Sequence, residues 1–194
     1  AGNVYSLEAY GRIASQYGFK DVILLTTRLV FVTVFLTILI MVPTVTWVHL
    51  KAKKLRRLIE FISLLPLVIP PVVLVLGVLA TMPNYLKGTP MLLALEYVML
   101  AMPYTFRALD AGLGAIDVRT LVDAARGLGS PWHTVFMRII APNIRSAIFG
   151  SIFLTVALVL GEYTMASLML WETFPTWIAT VGQSEATLAV ALSI

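Results

Sequence analysis

Long apolar stretches alternate with short polar links along this chain. They run over 22–48, 58–82, 91–106 and 147–170, and a fifth begins at 186 and is truncated at 194. About 20 helical residues at 1.5 Å rise cover about 30 Å of hydrocarbon, so each stretch is read as a membrane span. The chain starts without Met and stops inside an apolar run, and we expect flanking spans to lie outside it. The pattern predicts an all-α fold: a polytopic transmembrane helix bundle forming one domain over 1–194.

Basic residues in the links indicate which ends of the spans face the cytoplasm. One cluster follows the first span, and another lies between the third and fourth spans. These residues are Lys51, Lys53, Lys54, Arg56 and Arg57, and then Arg107, Arg119, Arg126, Arg138 and Arg145. By the positive-inside rule both links are cytoplasmic, and the Pro83–Pro90 link and the aromatic Trp171–Trp177 turn are external. The amphipathic stretch Tyr5–Phe19 is expected outside or along the outer interface.

Composition excludes several classes of protein. Hydrophobic residues make up 59% of the chain and charged residues 12%, which leaves too little polar surface for a soluble domain. The net charge of the chain is +4, and its basic residues lie between the spans. They therefore indicate which side of the membrane each link faces, and no nucleic-acid partner is expected. There is no cysteine, and His49 and His133 are isolated loop or interface residues, so no metal site is predicted.

Two carboxylates inside the spans are candidates for a translocation pathway. Charge within a bilayer is costly and usually faces a bundle interior or a watery cavity. Glu162 fits that description, with Gly161 and Tyr163 beside it to let a ligand approach and stack, although packing is the commoner role of such a tyrosine. Glu96 fits it too, unless it reaches an interface or pairs with Arg28, whose long side chain is read as reaching the nearer headgroups.

Prolines in the second span are also assigned to the pathway. Pro66, Pro70 and Pro71 remove backbone hydrogen bonds, and unpaired carbonyls at membrane depth are tolerated only beside protein or water. We therefore expect this span to bend along the path. The alternative is a static kink without a ligand role.

Two short amphipathic helices are predicted in the cytoplasmic segment 107–146. Asp117 can cap the first helix, which has apolar residues at Leu121, Ala124, Ala125 and Leu128. Gly129 ends that helix, and Ser130-Pro131 start a second one that Pro142 closes. Ala124 and Ala125 are expected to face outward. The apolar faces need protein or the lipid surface to cover them, or they pack on the chain's own spans.

This segment resembles a known signature. Asp123-Ala124-Ala125, Gly129, Ile139 and Pro142 match the spacing of E-A-A-x3-G-x9-I-x-L-P in permease subunits of binding-protein-dependent ATP-binding cassette importers, the MetI-like family. Asp123 stands where Glu is usual, and Ala141 where Leu is usual. The order of the spans is also similar, so the resemblance covers nearly the whole chain.

The resemblance implies a transport subunit that is not an enzyme. Its coupling helix would dock into a cytoplasmic ATPase through residues from both cytoplasmic helices. These are Leu121, Asp123, Ala124, Ala125, Leu128, Gly129, Ile139 and Pro142. The implied partners are two ATP-binding subunits, a second permease subunit that is the same or a different chain, and an external solute-binding protein. No cofactor is expected on this chain; ATP and Mg would bind the ATPase subunits, and the location would be a bacterial or archaeal plasma membrane.

A narrower resemblance, to one group of these permeases, indicates the class of transported solute. Leu160–Thr164 and the Gly112–Gly129 stretch are similar to spermidine/putrescine permeases, whose relatives import phosphonates, ferric iron, thiamine or sulfate-like anions. Acidic Glu162 and Glu96 favour a polyamine.

The sequence has no G-x-x-x-x-G-K-[ST] phosphate loop, and Gly112-Leu113-Gly114 and Gly127-Leu128-Gly129 are read as helix breaks. A passive channel and an intramembrane hydrolase are rivals from other classes, but no H-E-x-x-H or G-x-S-x-G motif supports the second rival.

Overall fold

The computed structural model describes residues 18–184, and within that range it contains helices and no strand. The all-α prediction is confirmed. The main helices, numbered in chain order, are α1 Phe19–Lys51, α2 Arg56–Val68, α3 Pro71–Thr81, α4 Pro90–Gly114, α5 Val118–Gly127, α6 Trp132–Val135, α7 Ala141–Asn143, α8 Arg145–Gly161, α9 Thr164–Leu168 and α10 Phe174–Ser184. A 3-10 turn spans Lys53–Leu55, and a π-helical turn spans Phe136–Ile140. The apolar tail from 186 and most of the predicted Tyr5–Phe19 stretch lie outside the described residues.

Two of the described helices are long and apolar enough to cross a membrane by themselves. They are α1 and α4, and two bent helix pairs raise the number of candidate spans to four. The 33 residues of α1 extend about 50 Å, which exceeds the roughly 30 Å of bilayer hydrocarbon. Part of α1 therefore extends beyond the hydrocarbon region.

The second predicted span, 58–82, is broken rather than continuous. Helices α2 and α3 meet at an angle of 103°. Pro70 forces the preceding Ile69 out of the helical region, to φ −81° and ψ 130°, and Pro71 then begins the next helix at its first position. The proline pair thus produces a sharp corner in place of the expected bend.

Several other boundaries differ from the predicted ones. Helix α4 continues to Gly114, past the predicted end of the third span at 106, so Arg107 lies on that helix. The predicted fourth span ends as a helix at Gly161, and a new helix begins at Phe174 within the predicted external turn. Trp177, at the end of the predicted external turn, is buried and packs against Phe19 with ring centroids 5.5 Å apart.

Gly112 does not break a helix as predicted, because it lies within α4 where that helix crosses α8. A Cβ atom added at Gly112 would lie 2.4 Å from the Cβ of Ala147. Only hydrogen at this position lets the two backbones come so close.

Two apolar cores hold the bundle together, one toward each end. The inner core joins α1, α4, α8 and the cytoplasmic segment through Met41, Val42, Val45, Phe106, Leu109, Leu113, Val118, Val122, Ala125, Val135, Ile140 and Ile144. The outer core joins α1, α3, α4, α8 and α9 through Leu29, Val75, Leu93, Ala94, Tyr97, Val159, Met165 and Ala166.

Polar contacts bring the two basic links to the same end of the bundle. The Asp110 carboxylate on α4 lies 2.6 Å from His49 Nε2 and also pairs with the Arg56 guanidinium. Arg119 donates to the Leu50 carbonyl oxygen at 2.9 Å. His49 is therefore not isolated, as the sequence had indicated, since it joins the end of α1 to α4.

Candidate docking surface and transmembrane cleft

Helix α5 is anchored to the inner core along one face. Its buried residues are Val118, Val122 and Ala125, spaced at i, i+4 and i+7 as one side of a helix requires. At its start the Asp117 carboxylate accepts hydrogen bonds from the Thr120 amide and hydroxyl, at 3.4 and 2.7 Å. These bonds favour the charged form and hold the pKa of Asp117 below its usual value. The predicted cap is thus present, and the helix is fixed at this end.

Gly129 ends the turn after α5 in a left-handed conformation, with φ +81°. The Ser130 amide donates to the Ala125 carbonyl at 3.1 Å, and the Gly129 amide donates to the Arg126 carbonyl at 2.9 Å. This pair of bonds is the Schellman arrangement, which favours glycine at the left-handed position. A glycine here therefore has a backbone reason as well as the motif match.

The opposite face of α5 is exposed and forms what we call the docking surface: Leu121, Asp123, Ala124, Leu128 and Gly129. Leu128 is 88% exposed, which is unusual for a leucine at the end of an anchored helix. Five of the eight residues predicted for docking thus lie together, at the end of the bundle that carries the basic links.

Ala125 does not face outward as expected. It is only 7% exposed and belongs to the inner core. The reason is that Val118 and Val122, on the same side of the helix, bury more apolar area than the alanines and set which side faces inward. Ala125 supports the docking surface from behind.

The second cytoplasmic helix is less regular than predicted. It runs through α6, the π-helical turn and α7, with Val135 and Ile140 buried. Ile139 packs partly against the inner core, so it also faces away from the docking surface. Pro142 is exposed and lies two residues after the π-helical turn, inside the continuous second helix. It does not close the helix as predicted, which instead continues to Asn143.

A cleft lies beside the break between α8 and α9. Glu162 follows the last residue of α8, and its carboxylate accepts from the amides of Met165 at 2.9 Å and Ala166 at 3.3 Å. The side chain therefore caps α9 and remains partly exposed to the cleft. The cleft has a volume of about 430 Å³, and it is lined by Leu67, Leu100, Tyr104, Ala157, Leu158, Gly161, Glu162, Tyr163 and Thr164.

Glu96 lies on α4, one helical turn before Leu100, which lines this cleft. Its side chain is buried, with the residue 2% exposed, and neither carboxylate oxygen has a hydrogen-bond partner. It is close enough to Glu162 for the two charges to interact. Within residues 18–184 no ion pair joins Glu96 to Arg28, which is exposed elsewhere on α1. The two carboxylates predicted for the pathway are thus brought near each other.

The predicted prolines lie at the α2–α3 corner, where Pro66 is buried and Pro70 and Pro71 are exposed. None of them lines the cleft, although Leu67 beside Pro66 does. Sequence reasoning missed Leu100 and Tyr104, which line it. They follow Glu96 along α4 by four and eight residues, and this helical spacing is the signal that could have found them.

No cluster of side chains suited to hold a metal ion occurs between residues 18 and 184.

Comparison with known families agrees with the architecture. A family model described as "binding-protein-dependent transport system inner membrane component" matches residues 27–194. A search of curated proteins found no match. The matched region includes most of α1 and every later described helix, and the family name implies a solute-binding partner. The chain is thus a multi-pass protein of the plasma membrane, and it belongs to the family of binding-protein-dependent transport system inner membrane components.

Proposed function

We propose that this chain is a pore-forming permease subunit of an ATP-driven importer, working by alternating access. Its partners would be two cytoplasmic ATP-binding subunits, a second permease subunit and an external solute-binding protein. The observation that carries the proposal is the docking surface, an exposed apolar face on a helix whose other side is fixed in the inner core.

The packing of α5 supplies a physical route for coupling. Val118 and Val122 of α5 share the inner core with Val45 of α1 and with Leu109 and Leu113 of α4. Closely packed side chains transmit displacement, so a pull on the docking surface would move the cytoplasmic ends of two spans. A passive channel needs no such surface, and an intramembrane hydrolase would need catalytic groups instead.

The docking proposal is tested by placing a charge on the exposed leucine. Leu128→Glu should abolish co-purification of the ATPase subunit and ATP-dependent uptake, because a desolvated carboxylate in an apolar contact is costly. The matched control is Leu170→Glu, since Leu170 is 91% exposed at the external end. Both variants should reach the membrane at normal levels. Normal ATPase recovery with Leu128→Glu would refute the docking proposal.

We further propose that the cargo is a small cation of the polyamine type. Glu96 and Glu162 interact electrostatically, and Glu96 has no hydrogen-bond partner. A cation passing along the neighbouring cleft would be attracted by negative charge on these carboxyl groups, whereas an anion would be repelled by it. Import of phosphonate, ferric iron, thiamine or a sulfate-like anion is the alternative. Calorimetry of the partner binding protein with each solute distinguishes these cargoes.

A further inference from the structure

An apolar groove lies between the end of α1 and the second cytoplasmic helix. We call it the tryptophan groove. It encloses about 190 Å³ and is lined by Pro43, Thr46, Trp47, Leu50, Lys51, Trp132, Phe136 and Ile140. Trp47 and Trp132 are both exposed large aromatic residues. Tryptophan favours the level of the lipid headgroups, where its ring is half in hydrocarbon and half in water.

A second space, the basic cleft, continues from the tryptophan groove. The two share Leu50, Lys51 and Trp132, and the cleft adds Arg119, Val122, Asp123 and Arg126 in a volume of about 400 Å³. Three basic side chains thus line it against one acidic side chain. None of those three basic residues forms an ion pair with any residue described between 18 and 184.

Two of these cations are held at the same aromatic ring. Lys51 Nζ lies 5.5 Å and Arg126 Cζ 5.6 Å from the centroid of the Trp132 ring. Cation–π attraction favours each contact, but the two positive charges repel each other. An anionic group between them would remove that repulsion.

The order of the lining residues along α1 matches the polarity of a lipid. Pro43, Thr46 and Trp47 line only the apolar groove, and Lys51 lines the basic cleft as well. From Pro43 to Lys51 the helix rises about 12 Å toward the cytoplasm. Apolar walls therefore lie toward the bilayer and positive charge lies toward the cytosol.

We infer that the tryptophan groove and the basic cleft together bind an anionic phospholipid of the cytoplasmic leaflet. An acyl chain occupies the groove, and the phosphate lies between Lys51 and Arg126. A zwitterionic lipid carries its own ammonium beside the phosphate, so it neutralises the cleft less well. The bound lipid would join α1 to the cytoplasmic segment that carries the docking surface.

The test uses the intact membrane assembly in nanodiscs of phosphatidylcholine with or without phosphatidylglycerol. Native mass spectrometry counts the phosphatidylglycerol retained after purification, and titration gives its affinity. Each basic residue near a membrane surface contributes about 1 kcal/mol to anionic lipid binding, so the double variant Lys51→Gln with Arg126→Gln should bind roughly 30-fold more weakly. The control is Lys54→Gln with Arg57→Gln, which removes the same charge from exposed positions outside the cleft.

Each contrary outcome overturns the inference. Equal losses in both double variants would mean a general surface attraction. Displacement of the lipid by inorganic phosphate as readily as by phosphatidylglycerol would mean a phosphate site without a role for the acyl chain. Normal lipid retention with loss of the ATPase subunit would assign the cleft to that protein. Support requires a loss of phosphatidylglycerol binding in the cleft variant that clearly exceeds the loss in the control variant, since exposed basic residues near the membrane surface also attract anionic lipid.

Discussion

Gly129 lies where the docking surface ends, and its backbone conformation makes a prediction at the scale of one residue. A side chain at φ +81° costs about 1 kcal/mol, so Gly129→Ala should lower the stability of α5 by about that amount. Gly129→Asn should cost less, because asparagine tolerates the left-handed region. The measurement is thermal unfolding in detergent followed by tryptophan fluorescence.

A neighbouring glycine provides the control for this prediction. Gly127 is the last residue of α5, and a Cβ added there would meet nothing within 4 Å. Gly127→Ala should be neutral or slightly stabilising, because alanine is the better helix former. If both substitutions changed the unfolding midpoint equally, the left-handed turn would not be the cause.

Single residues were predictable from sequence where their role is local. Asp117 and Gly129 act through the backbone within a few positions, so the cap and the helix end could be read from spacing. His49 and Asp110 are 61 positions apart, and neither residue's neighbours reveal the other. Ala125 was assigned to the wrong face because two periodic apolar patterns overlap on α5, and only the packed bundle decides between them.

At the scale of helices, the crossing of α4 and α8 depends on Gly112. Gly112→Ala would place two Cβ atoms 2.4 Å apart, so the helices must separate. Overpacking of this kind costs about 1–3 kcal/mol, and we expect a lower unfolding midpoint. Ala147→Gly in the same chain should restore most of the loss, because it removes the other atom of the clash.

Gly114→Ala is the matched control for this crossing. Gly114 ends the same helix, and a Cβ there would meet nothing within 4 Å. Its substitution should leave the midpoint nearly unchanged. Failure of Ala147→Gly to rescue Gly112→Ala would show that the close approach is not what limits the packing.

Helices were predictable as far as their apolar stretches extend, and less so at their ends. The apolar stretch ends near residue 106, yet α4 continues to Gly114. The helix continues because the polar side chain of Asp110 pairs with His49 on α1 and Arg56 on α2. The α2–α3 corner follows from the local geometry of Pro70 and Pro71, but its angle of 103° depends on packing. The end of α8 had no proline to mark it. Glu162 satisfies the first amides of α9 there instead.

For the whole molecule, the proposed cargo makes Glu96 and Glu162 act together although they lie on separate elements. Glu162→Gln and Glu96→Gln should each weaken uptake of a polyamine roughly tenfold, equivalent to about 1.4 kcal/mol of lost attraction. Uptake into vesicles containing the assembled transporter and its binding protein measures this effect. ATPase recovery should stay normal, since the inner core and the docking surface are untouched.

The same substitutions separate a cargo role from a structural one. Glu96→Gln keeps the size and burial of a side chain that has no hydrogen-bond partner and removes its ability to ionise, so it should lower uptake without lowering the unfolding midpoint. Glu172→Gln, an exposed carboxylate on the external link, makes the same charge change outside the cleft and should leave uptake unchanged. Unchanged uptake in both pathway variants would mean that Glu96 serves only in packing and Glu162 only as the cap of α9. Increased uptake of an anion would show that the carboxylates oppose the true cargo, because removing negative charge then lowers the barrier that the anion must cross.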